Sequence, residues 1–168
     1  MLAGDRVVLR PVRPEDVEVF WRMKTDVETW LLTSDHPLQP VTLKEFTEYS
    51  PPGESAQFAI EVGGELIGNC GMFHFDMLSR NAEVGLTLLP EHRGQGHGRD
   101  ALRTLVDYGF RHRNLHRLYL RTLASNEPGL RAYAAVGFVE EGRQREHAWV
   151  DGRYDDVVTM SVLRAEWP

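Results

Sequence analysis

The sequence predicts an α/β (α+β) domain in which a central mixed, mostly antiparallel sheet of about seven strands is flanked by about four helices. Three observations lead there. The 168 residues, 42% hydrophobic and 26% charged, suit one compact unit, taken as residues 1–168. Hydrophobic periodicity switches between the strand and helix repeats and gives the order βααββ-β-α-β-α-ββ. No repeat, low-complexity tract or long linker divides the chain.

Arg6-Val7-Val8-Leu9-Arg10-Pro11-Val12 reads as an opening strand, with Pro11 at a sheet edge or a strand end. Pro14-Glu15-Asp16 places proline and two acids at a helix start, and Val17, Phe20, Trp21, Val27 and Leu31 continue at helical spacing. Thr33 to Pro40, punctuated by Asp35, Pro37 and Pro40, is a loop. Thr42-Leu43-Lys44-Glu45 resembles a capping box opening a short helix that Pro51-Pro52-Gly53 ends. Gln57 to Val62 is a strand, Gly63-Gly64 a turn, and Glu65 to Phe75 the antiparallel partner. Ala82 to Leu88 is a further strand, ended by Pro90. Gly98 to Arg113 forms a helix with the apolar stripe Ala101, Leu102, Leu105, Val106 and Phe110. His116 to Thr122 is a strand, and Asn126 to Val136 is a helix closed by Gly137. Two last strands turn at Asp151-Gly152.

Composition excludes several classes. The net charge of −6 argues against nucleic-acid partners, which need clustered positive charge. No apolar run approaches the roughly 20 residues that span a bilayer. Asp5, Arg6 and Arg10 interrupt any leader peptide, so a cytoplasmic location is expected. The single cysteine, Cys70, allows no internal disulfide and no multi-cysteine zinc site, and no metal is expected.

The chemistry concentrates in Arg93-Gly94-Gln95-Gly96-His97-Gly98, between a strand and a helix. Three glycines let the backbone approach a ligand, and the amides of the first helical turn have no internal partner. With the helix dipole, Arg93 and Arg99, they form an anion site suited to a pyrophosphate. The nucleotide P-loop is excluded, because Gly98-Arg99-Asp100 stands where Gly-Lys-Ser/Thr is needed. The dinucleotide fingerprint is excluded by Arg99 at its last glycine position.

This segment resembles the Gln/Arg-x-x-Gly-x-Gly/Ala signature of the GNAT acetyltransferases. Asn126-Glu127-Pro128-Gly129-Leu130-Arg131-Ala132-Tyr133, followed by Gly137-Phe138, resembles the second signature of that family. The resemblance implies a GNAT fold with a splayed sheet and acetyl-CoA as cofactor. It implies that Gly94, Gln95, Gly96, His97, Gly98, Arg93 and Arg99 hold the pyrophosphate. Leu86, Thr87 and Leu88 would pair with the pantetheine arm. Asn126 would bind the pantetheine or the strand end, and Tyr133 would lie near the thioester sulfur. Val8-Leu9-Arg10-Pro11, Ala82-Glu83-Val84-Gly85 and Gly152-Arg153-Tyr154-Asp155-Asp156-Val157 resemble the RimJ/RimL-type subgroup, which acts on ribosomal-protein amino termini. Tyr133 departs from that subgroup, where an aliphatic residue is common. A homodimer is a further family-level expectation.

Acetyl transfer to a primary amine needs a base for the ammonium proton, a donor for the oxyanion and an acid for the leaving thiolate. Tyr133 has the chemistry of the acid. Glu83 is the candidate base and His74 the alternative. Cys70 suggests an acetyl-cysteine route, but its apolar setting favours direct transfer. Trp30, Asp35, Trp149, Tyr154 and Asp155 are candidates for an aromatic and acidic acceptor pocket. The acceptor is a small-molecule amine or a protein amino terminus. A noncatalytic acyl-CoA-binding regulatory module, or an enzyme using another acyl group or acceptor, are the alternative readings.

Overall fold

A computed structural model describes residues 1–34, 38–49 and 53–168. The described residues form β1 (Leu2–Ala3), β2 (Val8–Pro11), α1 (Val17–Thr25), α2 (Val27–Thr33) and α3 (Leu43–Glu48). Then come β3 (Ala56–Val62), β4 (Glu65–Asp76), β5 (Asn81–Leu88), α4 (His97–His112), β6 (Arg117–Leu123), α5 (Glu127–Val136), β7 (Val139–Val150) and β8 (Arg153–Leu163). These eight described strands make one sheet, ordered β1-β2-β3-β4-β5-β6-β8-β7. Only β5 and β6 run parallel.

The expected mixed sheet is present, with three local differences. The two-residue β1 pairs with β2 and moves it off the edge, so Pro11 marks a strand end. The helix read from Pro14 to Leu31 divides at Asp26, whose ψ of 121° is extended. The Asp26 carboxylate accepts from the Thr29 amide at 2.8 Å, so a side chain that hydrogen-bonds locally restarts the helix as α2. The capping box at α3 has both bonds, Glu45 N–H to Thr42 Oγ1 and Thr42 N–H to Glu45 Oε2. Asp35 to Pro37 of the predicted loop, and Pro51-Pro52, lie outside the described residues.

Neighbours on one strand reveal the layers. Ile60 packs with the α4 stripe of Ala101, Leu102, Leu105, Val106 and Phe110, whereas Ala59 packs with Phe20 and Met23 of α1. Side chains alternate along a strand, so α4 and α1 cover opposite faces. Val158 joins the α4 core, and Val157 joins Trp30 of α2 with Leu123, Ala148 and Val150. Thus α2 sits with α1 on one face, over the β6–β8–β7 half. No described helix is long and apolar enough to cross a membrane.

A buried ion pair fixes the entry to α1. Arg10 and Asp16 are 4% and 3% exposed and meet through two hydrogen bonds of 2.7 and 2.9 Å. Glu61 accepts from Arg10 Nε at 2.6 Å, and the Arg13 amide donates to Asp16. The Arg10 guanidinium holds the Asp16 carboxyl below the usual carboxylate range. Removing one partner of such a pair leaves the other buried and uncompensated. Asp16→Ala is therefore expected to cost about 3–5 kcal/mol, read from urea midpoints. Because the folded-state pKa is depressed, the carboxylate's stabilisation is complete above the ordinary value of about 3.9. It disappears as pH falls through the lower folded value, so Asp16→Ala should flatten the acid limb of the stability curve.

Candidate active site

The site starts where two parallel strands part. β5 pairs with β6 only at Asn81↔Arg117, Ala82↔Leu118 and Glu83↔Tyr119. Beyond Glu83, β5 stays with β4 as far as Gly68↔Leu88, while β6 stays with β8 as far as Leu123↔Val157. The Leu89 amide donates to Ile67, which sets which β5 residues turn their main chain towards β4. By alternation Thr87 faces β4, and Leu86 and Leu88 face the gap. Leu88 gives its carbonyl to Arg93 Nε at 3.0 Å, so Leu86 keeps both polar main-chain groups for a ligand. This narrows the expected trio: Thr87 lines the cleft, but its main chain is spent on β4.

The loop after β5 has the geometry of an anion nest. Gly94 and Gly96 have φ of 72° and 85°, a left-handed geometry that glycine adopts without penalty. Gly96 caps α4, and the first amide to find a helical acceptor is that of Asp100. Among the described residues, the amides from Gly94 to Arg99 have no protein acceptor. They suit a diphosphate. His97 offers its amide, while its ring lies beside His92 with Nδ1 buried and without a partner among the described residues.

Two expected binding residues line the cleft and brace it as well. Arg93 donates to Leu88 and to Thr29 Oγ1 at 2.7 Å, so it clamps the loop to β5 and α2 rather than offering its full fork to an anion. Asn126 accepts from the Gly129 amide and donates to the Leu32 carbonyl and Thr122 Oγ1, both at 3.0 Å. Both its amide hydrogens are therefore engaged, and it caps α5 while tying α5 to α2. Thr29, Arg6 and Asp100 were not singled out from sequence. Asp100 accepts from the amides of Asp5, Arg6 and Val7, and Arg6 donates to the Gln95 carbonyl. A Cβ on Gly4 would stand 2.5 Å from the Asp100 carboxylate, so glycine permits this docking. An acid in the first turn of α4 was the available signal.

A cleft of about 400 Å³ joins these parts, lined by Leu86, Leu88, the glycine loop, Arg99, Asn126 and Tyr133. Such a volume accommodates a small-molecule ligand. Burial pushes the Tyr133 phenol up to about 12. Among the described residues its hydroxyl has no hydrogen-bond partner. The open strand, the amide nest and the cleft fit the arm and diphosphate of coenzyme A.

The opposite face carries the candidate base. Ala82, Val84 and Leu88 lie in the α4 core, so Glu83, Gly85 and Thr87 face the side covered by α1 and α2. Glu83 does not line the cleft; it stands at the last β5–β6 pair and meets His74 Nδ1 at 2.9 Å. Cys70 is buried, and burial pushes its thiol well up. Trp149 and Tyr154 pack edge to face at 4.8 Å on the β7–β8 hairpin and are exposed. Asp155 accepts from the Ser125 and Asp156 amides. Trp30 corrects the expected acceptor wall, because it is a core residue of the α2 cluster. Asp35 lies outside the described residues.

Residues 6–139 match the family model described as an acetyltransferase (GNAT) domain. The chain is 30% identical to an uncharacterized N-acetyltransferase, p20, of Bacillus licheniformis, over 99% of this chain and 97% of the other. It is 35% identical to a spermidine N(1)-acetyltransferase of Vibrio cholerae, over 61% of this chain and 59% of that one. The crystal structure of the spermidine N-acetyltransferase from Vibrio cholerae in complex with CoA and spermine superposes with a TM-score of 0.88. It covers 98% of this chain and 99% of that one at 25% identity.

Gly96→Ala tests the nest. An L-residue held left-handed costs about 1–2 kcal/mol, a factor of 5–30 if the loop relaxes away from its binding shape. Calorimetric titration with coenzyme A should show affinity falling by about that factor, with the circular dichroism spectrum unchanged.

Proposed function

The chain belongs to the GNAT family of acetyltransferases, and on that premise we propose that it moves an acetyl group from acetyl-CoA directly to the primary amine of a small polycationic molecule. The observation that carries this reading is the β5–β6 gap. It opens between Glu83 and the Leu86–Tyr133 cleft, whose lining runs through the gap to Leu32, Thr33 and Thr87 on the α2 side, so a donor and an acceptor can meet there.

Acetyl-CoA supplies an activated acyl thioester. The amides of residues 94–99 hold its diphosphate, and Leu86 pairs with its arm. Glu83 takes the proton of the acceptor ammonium, either directly or through water. A main-chain N–H turned into the gap, from Leu86 or Leu88, donates to the carbonyl oxygen as it becomes negative. Tyr133 gives its proton to the departing sulfur and is reprotonated as the nitrogen sheds its second proton on becoming an amide; its raised pKa keeps it in the donating form throughout the neutral range. Cys70 takes no part: a thiol held neutral by burial is a poor nucleophile.

The acceptor assignment draws support from the likeness to spermidine acetyltransferases and from the acidic balance of the chain. The exposed Trp149–Tyr154 pair offers aromatic rings to a cation. A protein amino terminus, the acceptor of the RimJ/RimL-type reading, is the class to test against it.

Thiol release should be measured with spermidine, spermine, amino-terminal peptides and an aminoglycoside. The highest kcat/KM is expected for a polyamine; a peptide exceeding it would overturn the small-molecule assignment. Tyr133→Phe should lower kcat by about 10²-fold with little change in the KM for acetyl-CoA. Cys70→Ser should leave turnover intact, and its loss with acetyl-CoA binding retained would establish an acyl-enzyme.

A further inference from the structure

The imidazole of His74 is unlike the other groups around the candidate base. It follows Phe73, which pairs directly with Glu83, and precedes a register shift that ends at Asp76↔Asn81. Its φ of 52° is left-handed, a geometry that is uncommon for a residue with a side chain. The extra residue inserted into β4 there turns the ring onto the next strand, where Nδ1 meets Glu83 Oε2 at 2.9 Å. The two partners differ sharply in exposure: the His74 side chain is 64% exposed and the Glu83 side chain only 16%. One end of the pair is therefore at the gap and the other in water.

We propose that His74 is the proton outlet of Glu83. This rests on Glu83 acting as the base in the reading above. In each turnover the Glu83 carboxylate takes one proton from the acceptor ammonium. The His74 Nδ1 lone pair then takes that proton, restoring the carboxylate, and the imidazolium releases its Nε2 proton to solvent. The exposed ring re-equilibrates its tautomers through water before the next cycle. No oxidant or further reactant is needed. His74 is thus a positioning and relay residue, acting through Glu83.

Among the described residues, few groups face the pair. Phe73 abuts the imidazole edge to face at 5.4 Å. Tyr119, opposite Glu83 on β6, has its phenol raised first by burial and then by the Glu83 charge, with Arg117 and Arg121 acting against both. Asp76, the nearest acid on β4, accepts from the Leu78 and Ser79 amides. On the other side, β3 pairs with β4 only as far as Ala56↔Met72, and Glu54, two residues before Ala56, is paired with Arg113, whose guanidinium lies over the Phe75 ring.

The test uses His74→Asn, because asparagine tolerates a left-handed backbone, with His74→Ala alongside. A relay defect should lower kcat by about tenfold in dilute buffer, a fraction of the total worth of acid–base catalysis. The KM for acetyl-CoA should stay the same, the acid limb of the kcat–pH profile should change shape, and added imidazole should restore the rate. Wild-type kcat and pH profile in both variants would overturn the proposal, as would a loss that imidazole fails to rescue. Glu83→Gln separates the two ideas. Near-normal activity there removes the base itself; an inactive Glu83→Gln beside normal His74 variants removes only the outlet.

Discussion

Three backbone pairs between β5 and β6 set the rest of the structure. A parallel pairing that continued would spend the main-chain groups of Leu86 on a neighbouring strand and close the sheet. Because it stops at Glu83, polar groups that a sheet normally consumes are left for a ligand, and the two faces communicate. The sheet survives the break because each half is paired on its far side: β5 along β4, and β6 along β8.

The gap is held open by a bridge of side chains. Trp30 anchors α2 in the core of the β6–β8–β7 half. One residue earlier, Thr29 accepts from Arg93, which also grips the end of β5. At the other end of the same helix, the Leu32 carbonyl accepts from Asn126 at the cap of α5. A single short helix therefore touches both halves and both ligand-facing segments. Arg93 and Asn126 are largely occupied in this scaffold, and the main-chain amides of residues 94–99 are left without a protein acceptor among the described residues. Preorganised amides cost no reorientation when a charged ligand arrives.

The anion nest has a second support. Asp100 would be an awkward neighbour for a diphosphate if its charge were free. Instead its carboxylate accepts from three consecutive amides of the amino-terminal segment, and that segment places Arg6 against the Gln95 carbonyl. The negative charge is answered locally, and the loop is braced from a segment far away in sequence.

Much was legible from residue order. Glycines at 94 and 96 carry positive φ because nothing else sits there without strain, and the capping box, the Asp151-Gly152 turn and the apolar stripe of α4 are local patterns with local causes. The family followed from the two signature segments, and the sheet class from the periodicities. What residue order could not give is which polar group meets which across long separations. Trp30 looked like a pocket wall and is core; Arg93 lines the cleft and is also a clamp; Asp26 split a helix whose apolar spacing ran on. His74 and Glu83 were legible as separate candidates, but their contact depends on a register shift between strands. A hydrogen bond commits a donor only once folding brings its acceptor within about 3 Å, and that distance belongs to the packed chain.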